Sequence, residues 1–327
     1  EGFYRPQAAQ RRRVALPTYP FQRERYWFTP GAAAQFTAGA FVEHASEHPL
    51  LGWRLRAAAV QETIYENQIS PESHPFLNDH LIQGEGLFPS PGYIEMACAA
   101  ARREDPSGSF ALTDLLIQEP LLLQTGQQRI VQLVLKPEQG GHSFGVYSRQ
   151  GRDWHLHSSG KIIPLNSGTS KAPEKLEAIR ARCSEEMEAA AVYDRLRALG
   201  LEFGPAFQGL TRVFRRDGEA LGRVITPQVI EQAAQACDAL HPAVLDACLH
   251  LMVAALPDAA RGLEHPFLLI GVDRLVFHRR PEAAFWSHIQ ITSGDTLSNP
   301  NGKEVFTASM NLYDDAGDLL AEFSGMQ

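Results

Sequence analysis

Two stretches of this chain, SPGYIEMACAAAR at 90–102 and HPAVLDACLHLMVAAL at 241–256, constrain its fold more than any other feature. Both place apolar residues at helical spacing, and both are so rich in small or apolar side chains that almost no face is left for water. Helices of this kind have to be covered on several sides. In the first, Ser90 is placed to act as N-cap with Pro91 as the first helical residue, and Ile94, Ala97, Cys98 and Ala101 fall at helical spacing. Alternating segments such as RIVQLVLKP, FGVYSR and WHLHSSGKIIPL follow it, and a period of two reads as antiparallel strands. In the second half AAAVYDRLRALG reads as a short helix closed by Gly200, and RVFRRDGEALGRVI as a hairpin around Asp217 and Gly218. More alternating segments run to the end. Each half thus supplies one buried helix and a run of antiparallel strands, an α+β plan in which a sheet wraps its helix. The duplication lies in the layout, with no obvious residue-level repeat.

At 327 residues there is room for two packed domains or one large duplicated unit. Residues 1–45 differ from the rest, with an Arg run (Arg11 to Arg13) and then LPTYPFQRERYWF, and read as a linker whose Tyr19, Phe21, Tyr26 and Trp27 form an aromatic anchor or simply pack on the nearest domain. The polar NSGTSKAPEK breaks the pattern in the middle. The expected organisation is a linker over 1–45, a first domain over 46–165, an interdomain linker over 166–180 and a second domain over 181–327. The start at Glu1, without Met or a targeting pattern, reads as a cut from something longer. No apolar run is long enough for a bilayer, and a net charge of −8 disfavours nucleic acid as a partner. Four scattered cysteines without a C-x-x-C argue against a disulfide framework or structural zinc and fit a reducing cytoplasm.

Three clusters could carry chemistry. In HLIQGEGLFP, His80 precedes the capped helix, whose free N–H groups could receive an oxygen gaining negative charge; a lone His is otherwise a structural residue. In DACLH, Asp246 and His250 stand at i and i+4 on an apolar helix. That Asp either pairs locally with His250 or, since a carboxyl in apolar surroundings keeps its proton to higher pH, serves as a proton donor near neutrality. The third, LEFGPAFQG, is alone only a Gly-Pro turn between aromatic residues.

Taken in order, the three clusters resemble the signatures of polyketide synthase dehydratases. HLIQGEGLFP fits HxxxGxxxxP through His80, Gly84 and Pro89, GLEFGPAF resembles GYxYGPxF, and DACLH fits DxxxQ/H. HPFLLIGV is similar to a further LPFxW segment, and LPTYPFQRERYW to the linker that ends a preceding acyltransferase region. The resemblance implies a double hot-dog, two fused domains each with an antiparallel sheet around a central helix. It implies dehydration of a β-hydroxyacyl thioester, with His80 as base and Asp246 as acid. Gly84, Pro89, Ser90, Gly92, Phe203, Gly204, Pro205 and His250 are expected around the substrate, an amide between Ser90 and Gly92 polarises the carbonyl, and His250 orients Asp246 or binds the leaving water. The substrate would ride on the phosphopantetheine of an acyl carrier protein, with no metal or redox cofactor. Other domains of the module and a second copy of the chain are the further expected partners.

Leu201 and Phe203 replace both family tyrosines, Ser90 stands where Gly is common, and Leu269 where Trp is usual. These departures leave acid and base intact but open two alternatives, a dehydratase that also cyclises its product by adding a second hydroxyl and one that shifts the double bond. A silent structural domain is the reading of another class, and intact His80 and Asp246 count against it. His155 and His157 form an HxH without a third ligand at suitable spacing and read as structural or surface residues. Arg212, Arg215, Arg216, Arg279 and Arg280 are candidates for carrier-protein docking, or for an ordinary solvated charged face.

Overall fold

The wrapping of sheet around helix sets the order of the elements. The structure, a computed structural model, describes residues 48–56, 58–124, 126–165, 174–257, 266–293 and 305–327. The linker expected over 1–45 lies outside them. The first half holds β1 (Trp53–Leu55), β2 (Thr63–Ile69), β3 (His80–Ile82), β4 (Glu85–Gly86), helix α1 (Ser90–Glu104), β5 (Phe110–Ile117), β6 (Arg129–Glu138), β7 (Gly141–Gln150) and β8 (Asp153–Pro164). The second begins with α2 (Leu176–Arg182), β9 (Glu185–Met187), α3 (Ala189–Ala198), β10 (Leu201–Phe203), β11 (Leu210–Arg216) and β12 (Glu219–Ile225). It continues with α4 (Glu231–Gln235), α5 (Pro242–Leu249), α6 (Leu251–Ala255), β13 (Gly271–Phe277), β14 (Ala284–Ser293), β15 (Thr307–Tyr313) and β16 (Leu319–Met326). Of the segment expected to link the domains, 166–173 lie outside the described residues and α2 opens within the remainder.

Among the described residues, thirteen strands form one antiparallel sheet in the order β1-β2-β6-β7-β8-β5-β13-β16-β15-β14-β12-β11-β9. The first six come from the first half and the other seven from the second. They meet where β5 pairs with β13, from Leu116 opposite Gly271 to Ala111 opposite Val276. A three-stranded sheet, β10-β3-β4, joins the halves again at another place. The first six strands curve around α1 and the other seven around α5 and α6, so the fold is the α+β double hot-dog.

Side-chain size explains why α1 can lie so deep. Ala97, Cys98, Ala99 and Ala100 are fully buried, because α1 packs on β5 and β8 on one side and on α5 on another. Only small residues let a helix be approached from several directions at normal interior density. The second apolar stretch is interrupted at His250 into α5 and α6, and α6 packs on β11, β12 and β14. The expected hairpin turns at Asp217 and Gly218, and Gly200 after α3 has the positive φ of a helix terminator, +79°. Among the described residues no helix is long and apolar enough to cross a membrane.

Charge is handled by burial in the second half. Arg215 is only 2% exposed; its guanidinium donates to the carbonyls of Ala254 and Leu256 at the end of α6 and pairs with Glu185 and Asp217. This corrects its reading as a docking residue, since a side chain spent on closing α6 presents no free charge outside. Arg216 pairs with Glu219, Arg212 with Glu186 and Arg279 with Asp314, while Arg280 donates to the Ala234 carbonyl.

Glu219 is the centre of a second network. Its buried carboxylate accepts from Arg182, Arg216 and His288, with the shortest contacts at 2.6 Å. Burial by itself would raise its pKa, but these three donors outweigh that and hold it at about 2. A folded value below the unfolded one of about 4.5 contributes stability that is present above pH 4.5 and is lost as pH falls from there towards 2. Glu219→Gln is expected to cost about 3 kcal/mol at neutral pH. Urea unfolding at pH 7 and pH 3.5 checks both points, since the wild-type chain should lose more stability between the two than the variant does.

Candidate active site

His80 is the first residue of β3, reached from a 3₁₀ turn over Pro75–Asp79. It is buried, and its Nδ1 lies 2.8 Å from the Leu87 carbonyl oxygen. A carbonyl only accepts, so Nδ1 carries the proton and Nε2 keeps its lone pair. What brings Leu87 back to His80 is the two-residue turn between β3 and β4, where Gln83 and Gly84 have φ of +52° and +80°. Glycine enters such a turn without strain. The free Nε2 faces Asp246 Oδ2 at 3.8 Å.

Asp246 lies on α5, whose first turn is capped by the neighbouring His241. The His241 ring accepts from the Ala243 amide, which requires an unprotonated nitrogen; burial, helped by nearby His74, pushes its pKa down to about 4. Asp246 is 8% exposed, and its Oδ2 also lies 2.9 Å from His250 Nε2. One carboxyl oxygen therefore faces two imidazoles. Around them the Phe203 ring is 4.1 Å from that of His250 and 5.4 Å from that of His80, and Phe207 is 5.0 Å from His80.

The halves are brought into register by the strand pair β10-β3, in which Phe203 stands opposite His80. Two further bonds extend it. The Gly204 amide donates to the Asp79 carbonyl and the Ala206 amide to the Asp79 carboxylate, both at 2.8 Å. A Cβ on Gly204 would lie 2.3 Å from Asp79 Oδ1, so only glycine allows this approach. On the other side, Tyr193 accepts from the Leu210 amide, donates to the Phe207 carbonyl and sets its ring edge-on to His250.

These groups open on a cavity of about 560 Å³ whose walls include Leu196, Leu249, Met252, Val253, Ile289 and Met326. Such a space takes an apolar chain. Ser90 lines it as the first residue of α1, where its N–H has no intrahelical acceptor. The helix starts one residue earlier than expected: Pro89 is the N-cap, the Ser90 hydroxyl makes no cap bond, and the Gly92 amide is spent on the Pro89 carbonyl at 2.8 Å.

Of the residues expected around the substrate, Ser90, Phe203 and His250 line the cavity with His80 and Asp246. Gly84, Pro89, Gly92, Gly204 and Pro205 do not. They serve the backbone instead. Gly84 makes the turn, Pro89 and Pro205 open helical turns, Gly92 leaves room for the Phe88 ring and Gly204 for Asp79. His250 Nδ1 is buried without a hydrogen-bond partner. In the HxH pair, His157 bonds Ser148 and the Glu119 carbonyl through its two nitrogens, and His155 lies 3.5 Å from Glu119.

Sequence reasoning passed over Asp79, Tyr193 and Glu95. Glu95 carried a readable signal, the one charged residue within the buried stretch 91–101 of α1. With His48 and Cys237 it makes a compact, buried group of metal-ligand types. The hydrogen bonding argues against a metal there. His48 Nδ1 accepts from the Leu50 and Leu51 amides, so Nε2 bears the proton and donates to Glu95, whose oxygens also accept the amides of Asp238, Ala239 and Leu240.

Burial lowers the pKa of His80 below 6.5, with Asp246 and the Leu87 bond pulling it back up and His250 lowering it. His80 is thus neutral at neutral pH and suited to accept a proton. Titration of its Cε1–H signal by NMR should give a midpoint below 6.5.

The chain matches two family profiles, "Polyketide synthase dehydratase domain" over residues 48–149 and "Polyketide synthase dehydratase N-terminal domain" over 171–327. It is 34% identical over 269 residues to the phenolphthiocerol synthesis polyketide synthase Pks1 of Mycobacterium tuberculosis, whose name carries the word inactive; the match takes in 80% of this chain and 16% of that protein. The chain thus spans only a small part of this relative's length. Among solved structures, the dehydratase domain of the CurF module of curacin polyketide synthase superposes with a TM-score of 0.78 at 28% identity, covering 86% of this chain and 98% of that one. The CurK dehydratase is similar to the chain in two forms named as inactive mutants, an Asp→Asn variant (TM-score 0.76, 28% identity) and a His→Phe variant (0.77, 27%), each covering 86% of this chain, and 96% and 97% of their own.

Proposed function

Because the chain belongs to the polyketide synthase dehydratase family, we propose that it converts a β-hydroxyacyl thioester to the α,β-unsaturated thioester by proton transfer between substrate, His80 and Asp246. The observation that carries this reading is the 3.8 Å approach of His80 Nε2, lone pair free, to Asp246 Oδ2 inside an apolar cavity. The CurK variants named as inactive, one at an Asp and one at a His, lend support.

His80 Nε2 takes the α-proton, and the electrons of that C–H bond become the new double bond. Asp246 gives its proton to the β-hydroxyl, which leaves as water. The Ser90 N–H, at the start of α1, hydrogen-bonds the thioester oxygen as it gains charge. After turnover His80 holds one proton too many and Asp246 one too few. Their proximity lets that proton pass back, directly or through the released water, and resets both groups. His250, 2.9 Å from the same carboxyl oxygen, fixes the orientation of Asp246.

The acyl group arrives on the phosphopantetheine of an acyl carrier protein of the same synthase, and a second copy of the chain pairs with this one near β1, the end strand of the sheet among the described residues. Phe203 offers the leaving hydroxyl an apolar ring in place of a phenol, so proton delivery falls on Asp246 alone. No metal or redox group is needed for this chemistry.

His80→Ala and Asp246→Asn should each lower turnover of a synthetic β-hydroxyacyl thioester by at least about 1,000-fold with circular dichroism unchanged, as loss of a positioned acid or base does. Near-normal turnover in either folded variant would remove the assignment. A substrate with a distal hydroxyl should leave as the open alkene, read by mass and NMR; an enzyme-dependent oxygen heterocycle would instead favour a dehydratase that also cyclises.

A further inference from the structure

Asp246 is held by a device that starts in the other half of the chain. Glu95 sits on α1, five residues past Ser90, and its side chain is fully buried. Its carboxylate receives the amides of Asp238, Ala239 (3.1 Å) and Leu240 (3.0 Å), together with His48 Nε2–H (3.0 Å). Residues 238–240 lead directly into the His241 cap and Pro242, and Asp246 follows one turn into α5. One carboxylate thereby fixes the start of the helix that carries Asp246 relative to α1, the helix that presents the Ser90 N–H. A buried charge satisfied by several backbone donors has little freedom to shift, since each lost bond leaves an unpaired polar group.

We propose that Glu95, supported by His48, is a positioning residue for the dehydration: it sets the distance between the acid on α5 and the N–H at the head of α1. The proposal rests on the reading of His80 and Asp246 as base and acid. Loop and helix stay attached without Glu95, because Arg103 on α1 bonds both the Ala99 carbonyl (2.8 Å) and the Asp238 carboxylate (2.6 Å), and α1 still packs on α5. What the loss removes is registration.

Glu95→Gln puts an amide NH₂ where an oxygen now accepts, so two donors face each other. The test compares wild-type and variant chains on a β-hydroxyacyl thioester and on its β-fluoro analogue, whose departing fluoride relies less on a proton donor. A displacement near 1 Å costs about 100-fold in rate. The expected result is a kcat about 100-fold lower on the hydroxy substrate, KM within about twofold, and a loss on the fluoro substrate of about tenfold or less. A general loosening of the fold would lower both rates alike. Equal losses, or a hydroxy kcat within about threefold of wild type in a folded variant, overturn the positioning role while leaving the acid and base in place. A wild-type chain that dehydrates nothing overturns both readings together. If circular dichroism shows Glu95→Gln unfolded, His48→Phe carries the same comparison: it withdraws one donor from Glu95 and the acceptor of the Leu50 and Leu51 amides, leaves the three amides on Glu95, and should show the same asymmetry between the substrates, a symmetric loss again counting against the proposal.

Discussion

The antiparallel pairing of β10 with β3 is the contact on which the site depends. His80 and Asp246, the proposed base and acid, come from opposite halves, 166 positions apart in sequence. Neither half holds both. The pairing sets Phe203 opposite His80, and Asp79 extends it by catching two amides of the following turn. Each bond is individually modest, near 1 kcal/mol. Their value is directional, because a strand register admits only steps of a residue and a slip would turn Phe203 away from the imidazoles.

A second constraint is dryness. Aromatic rings and aliphatic walls exclude water from the imidazoles and the carboxyl, and a desolvated histidine prefers its neutral form. The same exclusion makes the Leu87 carbonyl decisive, because it alone determines which ring nitrogen keeps its proton. In a wet site the two tautomers would exchange freely, and many molecules would present the wrong nitrogen. The charged groups of the second half obey the opposite rule. Glu219 is buried too, but Arg182, Arg216 and His288 donate to it and keep it ionised, while Arg215 is buried among carbonyl and carboxylate oxygens that accept from it.

Much of this was legible in the sequence. The small-residue helix at 90–102 announced that something must cover it on all sides, and the period-two segments announced what. Asp246 was readable as a carboxyl on an otherwise apolar helix, and His80 from its place between a polar segment and a capped helix. Residue pattern was a poor guide to role elsewhere. Gly84, Gly92 and Gly204 sit within recognisable signatures, yet they act on the backbone: a missing Cβ is needed for a turn, a ring and a carboxylate, and a one-dimensional spacing does not say which. Arg215 was misjudged because charge in a sequence reads as exposure, while the carbonyls at the end of α6 that pull it inward lie about 40 residues further along the chain. Glu95 was passed over for a similar reason, since three of its partners belong to a loop in the other half.

The seam between β5 and β13 has a consequence for how the chain is made. Its partners lie roughly 160 residues apart, so the loop that must close is long and its closure slow compared with any hairpin. During synthesis β5 emerges, pairs with β8 on one side and waits with its other edge bare until β13 follows. A bare strand edge is a template for any other extended segment nearby. In a polypeptide carrying several such units, the hazard is a β5 capturing the β13 of a neighbour and swapping halves between them. Timing of translation across the middle of the chain, and chaperone cover for that one edge, would then govern yield more than the stability of the finished sheet.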